Sequence, residues 1–270
     1  MMVNTPQASA FVQAKGDVVE RARLTCILHK KSSHSSILRK LQQMQNPDGG
    51  FAYWIKDFST VCDTVYVLTW LDDLSLHSGP LVDGGFDFLL RHQKEDGGWD
   101  ELERVKKASP PEFLLPGKVE TRVWLTAYCA HWFVRFGRAE PPGAKGCPVN
   151  FLLAHREPSG RLSGYLRATW DALVLFSYHP GPDSEVFGET LEVIQKQFTP
   201  DKWPGSYLAW LLCCLRDAGL PVDYPFVGFC LDELVKKQRS NGSWESEDGE
   251  KYSANATIEA LRVLKHYKVF

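Results

Sequence analysis

Three acids occupy matching places at the heads of three apolar stretches: Asp63 before Thr64, Glu120 before Thr121 and Asp171 before Ala172. Carboxyl groups brought from separate segments to one apolar site raise each other's pKa, through lost hydration and like charge. A carboxyl kept protonated in this way can donate its proton, so this spacing predicts general-acid chemistry. The same acids are also what a helix favours in its first turn, where free amides and the macrodipole stabilise negative charge. Both readings stand at this stage. Downstream of the acids come paired aromatics: Tyr66 and Trp70, Trp124 and Tyr128, Trp170 and Phe176, Tyr207 and Trp210. Spacings of three or four place several of these pairs on one helix face. Turned inward they would line a cavity for a long apolar ligand and stabilise a cation with their π faces; turned outward they are core.

The elements that must position these side chains fall into two kinds. Gly85 to Gln93, Glu185 to Gln197 and Phe229 to Gln238 carry an apolar stripe and a charged face, the pattern of helices wetted on one side. Thr60 to Leu71, Thr121 to Phe136, Ala168 to Tyr178 and Ser206 to Leu215 are apolar nearly all round, the pattern of helices buried on every side. Alternation of the two predicts two concentric layers. Inner helices are expected to begin near Ala10, Thr60, Val119, Ala168, Ser206 and Ser253, and outer ones to end at Gln45, Gln93, His155, Gln197 and Gln238. The expected fold is all-α, an α/α toroid of about six helical hairpins forming one domain over 1–270. Its repeats would run roughly over 35–80, 82–137, 147–180, 183–220 and 226–268. An open solenoid is the alternative architecture. In the toroid, the outer-to-inner loops share one end, so the three acids would gather at one mouth.

Each outer helix closes on a recurring phrase: QNPDGGF from Gln45, QKEDGGW from Gln93, HREPSGRL from His155 and QRSNGSW from Gln238, with a weaker QFTPDKW from Gln197. Glycine past a helix end accepts the left-handed backbone that stops it, and Asp or Asn bonds turn amides. The phrases are therefore read as structural clamps. The one long insertion, Asp100 to Lys118, falls at the acid end and is a lid, a partner-binding loop or a solvated loop.

The repeated Gln-x-x-Asp-Gly-Gly-Trp/Phe phrase resembles the glutamine–tryptophan repeats of squalene–hopene cyclases, and more loosely those of protein prenyltransferase β subunits, over residues 35–268. The resemblance implies an α/α barrel with an isoprenoid in a central apolar cavity. It also implies an acid at the head of an inner helix. The cyclases carry Asp-x-Asp-Asp-Thr-Ala there; this chain carries Thr60-Val61-Cys62-Asp63-Thr64-Val65. Asp63-Thr64 matches, but the family's protonating aspartate is replaced by Cys62, and a thiol is a far weaker acid. Asp63 is then the first candidate for a catalytic acid, tuned by Glu120 and Asp171, with Tyr66, Trp70, Trp124, Tyr128, Trp170, Tyr207 and Trp210 as substrate-binding candidates. The zinc ligands of the prenyltransferases have no counterpart in order or place, so no metal and no cofactor is expected. The expected activity is acid-initiated cyclisation or isomerisation; the alternative is a lipid-binding or assembly module that lost the family acid. A polysaccharide-acting toroid is opposed by the apolar inner helices. The cyclases pair two toroids, whereas 270 residues supply one. The domain would act alone, as a homo-oligomer, or with a second toroid chain.

The totals exclude other classes. A net charge of −2 with mixed signs gives no basic face for nucleic acid. No apolar run is long enough to span a bilayer, and no signal-peptide order opens the chain. Seven cysteines, mostly within apolar helices, suit reduced buried thiols, so a cytoplasmic protein is expected.

Overall fold

The computed structural model describes residues 2–30, 35–140 and 142–270. Among them are twelve α-helices: α1 Thr5–Lys15, α2 Val18–His29, α3 Ser35–Met44, α4 Val61–Asp73, α5 Pro80–His92, α6 Val119–Arg135, α7 Pro148–Ala154, α8 Leu166–Tyr178, α9 Glu185–Lys196, α10 Gly205–Asp217, α11 Pro225–Lys236 and α12 Ser253–His266. Their contacts divide the chain into two compact units. One comprises Met1–Leu38, Asp73–Ser75 and Gln197–Phe270; the other comprises Arg39–Asp72 and Leu76–Lys196.

In the second unit, α6 and α8 pack along their length, and every residue from Val123 to Phe133 and from Ala168 to Phe176 is buried. Such helices must be apolar all round, because an unpaired polar group there would lose its water. Helices α5 and α9 instead bury one stripe, with Phe86, Phe88 and Leu89 on α5 and Leu191 and Ile194 on α9, and expose charge on the other.

The glycine phrases explain how hairpins are joined. Gly49, Gly97, Gly160 and Gly242 all lie at φ between +83° and +87°, where side chains are strained. Asp48, Asp96 and Asn241 each accept the amide two residues on, at 3.0 Å. The aromatic or leucine that follows donates its amide to a threonine hydroxyl on the next inner helix: Phe51 to Thr64, Trp99 to Thr126, Leu162 to Thr169 and Trp244 to Thr257. The two tryptophans also turn back, their indole N–H groups donating to Leu89 and Leu234 at 2.8 and 2.7 Å. The glutamine does the long-range work. Gln45 Nε2 donates to Gly49 within its own phrase and to Leu81 at the start of α5. Gln93 does the same with Gly97 and Gly146, just ahead of α7.

This pattern corrects the reading of the first helices. Gln238 Nε2 donates to Gly242 and to the carbonyl of Asn4, and its Oε1 accepts the Asn4 amide. The last phrase thus holds the start of α1 as the earlier phrases hold α5 and α7. Helix α1 takes an outer position, and α2, packed on α12, takes the inner one expected near Ala10. Arg23 disguised α2 in the sequence. It is fully buried within that helix, and pairs with Asp73 at 2.9 Å.

Asp72 and Asp73 place two negative charges at the end of α4. Both are buried: Asp73 also pairs with Arg262, at 3.1 Å, and Asp72 pairs with Arg135 and His77. No helix of the described residues is long and apolar enough to cross a membrane.

Candidate active site

The chemistry-bearing residues of the second unit gather around the head of α4. Asp63 is buried, and its carboxylate accepts the backbone amides of Tyr53, Trp54 and Ile55 at 2.9, 3.2 and 3.4 Å. The Thr60 hydroxyl bonds it as well. Burial raises the Asp63 pKa, and these donors oppose the rise. Its effect is to pull the segment after the first glycine phrase onto α4. There Tyr53 and Trp54 meet Tyr66 and Trp70 with ring centroids 4.7 to 5.7 Å apart. Tyr66 and Trp70 follow Cys62 at successive intervals of four, so the three lie along one stripe of α4. Trp70 is buried, whereas Tyr53, Trp54 and Tyr66 are half-buried.

Cys62, which the resemblance sets against the protonating aspartate of the cyclases, is a buried thiol. Burial holds its pKa well above the ordinary range, and the negative charges of Asp63 and Glu101 add to the effect. It stays protonated and gives its proton up poorly.

A second buried carboxylate, Glu101, lies against the backbone of Cys62. Its Oε1 accepts the Cys62 amide at 2.7 Å, and its Oε2 accepts the Val61 amide at 3.1 Å and that of Leu102 at 3.3 Å. It therefore caps α4 from outside the helix, using the free amides of its first turn. Burial raises its pKa to about 7 against the pull of those amides, and the charge of Asp63 contributes to the rise.

The insertion that carries Glu101 is pinned rather than loose. Gly117 donates to Asp100 at 3.0 Å, Arg104 donates to the Ser59 carbonyl at 2.9 Å, and Val105 and Leu114 are buried. Phe113 packs edge-on against Trp124, which stacks on Tyr128 at 5.8 Å and meets Tyr165 edge-on at 6.5 Å.

Asp171 lies in the middle of α8, fully buried, with its Oδ1 2.7 Å from Nδ1 of the equally buried His131 on α6. Asp171 and Glu101 both act electrostatically on Cys129 of α6, whose thiol is held well above its usual range chiefly by burial. A buried series of Asp63, Glu101 and Asp171 thus runs past Cys62 and Cys129. Glu120 is not part of it: the side chain is exposed at the first turn of α6, near Lys118 and Tyr165. Trp170 is fully buried on α8. In the other unit, Tyr207 and Trp210 are half-buried on α10, and Trp203 meets Tyr207 at 6.3 Å.

Glu101, His131, Tyr53 and Trp54 were missed in the sequence. His131 carried a signal, a lone imidazole inside an apolar helix. Glu101 stood two places after Trp99, and its role depends on a contact across forty residues that no local pattern records.

No protein-family model matches the sequence, and no curated protein does. Solved structures do. A protein from Actinoplanes superposes with a TM-score of 0.66 at 15% identity, covering 97% of this chain and 98% of that one. The type II terpene cyclase MstE from Scytonema gives a TM-score of 0.65 at 13% identity, over 98% of this chain and 97% of its own. A variant of that cyclase bound to its substrate, geranylgeranyl dihydroxybenzoate, gives 0.63 at 13% identity over the same shares. At these identities the likeness is one of fold. The chain has the all-α, α/α toroid fold of the type II terpene cyclases.

Proposed function

We propose that this chain is a single-toroid enzyme acting on an isoprenoid held in a central apolar cavity, by acid-initiated cyclisation or isomerisation. The observation that carries the reading is the buried acid pair Asp63 and Glu101 at the head of α4, a helix with the aromatic stripe Tyr66 and Trp70, with Asp171 buried on α8. Protonation of an alkene leaves a cation with no lone pairs of its own, and ring faces such as Tyr66 and Trp70 stabilise it without quenching it. The fold neighbour that binds a geranylgeranyl compound supports an isoprenoid as the substrate class.

The test is to offer geranylgeranyl dihydroxybenzoate, farnesyl and geranylgeranyl diphosphate, and squalene, and to look for products by mass spectrometry. Conversion of at least one to an isomer of equal mass is expected. A second reading, a binding module without turnover, is favoured by one observation: Cys62 stands where the family acid belongs and remains a thiol. Tight binding with no conversion of any of the four would establish that alternative. Absence of both binding and conversion would sink the two readings together.

A further inference from the structure

We propose that Glu101 is the proton donor of this reaction, a role that rests on the function proposed above. The argument is one of lone pairs. An ionised carboxylate offers about four acceptor sites, two on each oxygen. Around Asp63 three amides and the Thr60 hydroxyl claim all four, so protonating it would break a bond that holds Tyr53 and Trp54 in place. Around Glu101 only three are claimed, two on Oε2 and one on Oε1. The remaining site on Oε1 can carry a proton while every amide bond of the cap stays intact. Cys62 contributes its backbone amide to that cap, and from Cys62 the stripe Tyr66 and Trp70 runs down α4. The acid thus sits at the helix end from which the cation-stabilising rings descend. Asp63 is in this view a positioning residue for the aromatic segment.

The step balances without a redox partner. The O–H bond of the Glu101 carboxyl breaks as its proton adds to one carbon of an isoprenoid double bond. The π pair becomes the new C–H bond, and the neighbouring carbon becomes a tertiary cation. After ring closure or migration, loss of a proton from a carbon beside the final cation restores a double bond. That proton passes to solvent, and solvent reprotonates Glu101.

Three measurements on the full chain, with whichever of the four isoprenoids is turned over, test the assignment. Glu101→Gln keeps one acceptor oxygen for the cap amides, the other oxygen becoming an NH2 donor, and has no acidic proton. It is expected to lower kcat by about 10³-fold while leaving the Kd for the isoprenoid unchanged. Turnover in D2O by the wild type is expected to place one deuterium on the carbon that is first protonated. The wild-type rate should fall as pH rises through about 7, where Glu101 gives up its proton; this readout needs no variant to fold. Glu101→Asp, which restores a carboxyl, should recover part of the lost rate. A Glu101→Gln protein that still turns over, or a wild-type rate flat to high pH, would overturn the assignment while leaving the proposed function intact. Loss of turnover in Asp171→Asn with none in Glu101→Gln would move the acid to Asp171. A wild type that binds the isoprenoids and converts none would bring down the function and this inference together.

Discussion

Glu101 couples the stability of the fold to pH as well as the chemistry. Its pKa rises from 4.5 to about 7 on folding, so the native state binds the extra proton. The resulting stabilisation is fully present below about 4.5 and is lost by the time pH has risen through about 7. A rise of this size corresponds to about 3 kcal/mol. Glu101→Gln lacks the term, so its stability relative to wild type should be about 3 kcal/mol better at pH 8 than at pH 4.5. Denaturant unfolding of both proteins at the two pH values measures this. An equal difference at both would show that Glu101 ionises normally in the fold. The residue scale was also the least legible in sequence. Asp63 was singled out because its neighbours matched a motif, yet its partners are backbone amides, which no side-chain pattern reveals. Asp171 was singled out by its register, but its bond to His131 joins two helices and is not readable there. Glu120 had the right type and register and is nonetheless exposed, because its helix begins one turn nearer solvent than the matching place in α8, where Asp171 lies well inside the helix.

At the scale of elements the phrase after each outer helix decides the packing. Gly97 has φ of +86°, and a Cβ added there would lie 2.5 Å from the Cys147 carbonyl oxygen. Gly97→Ala therefore meets both a strained backbone and a rigid obstacle. It is expected to destabilise the protein by at least about 2 kcal/mol, read as a lowered midpoint in thermal or chemical unfolding. A change within a few tenths would mean that α7 can retreat from the turn. These elements were largely legible beforehand, since an apolar-all-round helix and an amphipathic one differ in composition wherever they occur. Helices α1 and α2 were not. Their apolar faces are short and α2 buries Arg23, so hydropathy alone could not separate inner from outer. The repeat of the glutamine bond, visible only in three dimensions, separates them.

At the scale of the molecule, three phrases follow one rule of attachment, in which the leading glutamine grips the chain at or just ahead of the start of another amphipathic helix. Gln238 extends that rule to a helix more than two hundred positions earlier in the chain. Gln238→Ala removes two side-chain donations and one acceptance, a loss of about 2 kcal/mol concentrated on α1. Hydrogen exchange should accordingly quicken in Thr5–Lys15, with α6 and α8 unchanged. Uniform quickening throughout would instead make the whole fold one cooperative unit.

That grip also sets an order of events during synthesis. Helix α1 leaves the ribosome long before Gln238 exists, and at roughly 5 to 20 residues per second the wait lasts on the order of ten seconds or more. Throughout it α1 and α2, with Val12 and Leu24 on their buried faces, lack α12, the later helix on which both pack. These segments complete their packing only when α12 and the phrase that carries Gln238 emerge. Ribosome-bound intermediates stalled before and after residue 238 should differ sharply in the protease sensitivity of their first thirty residues.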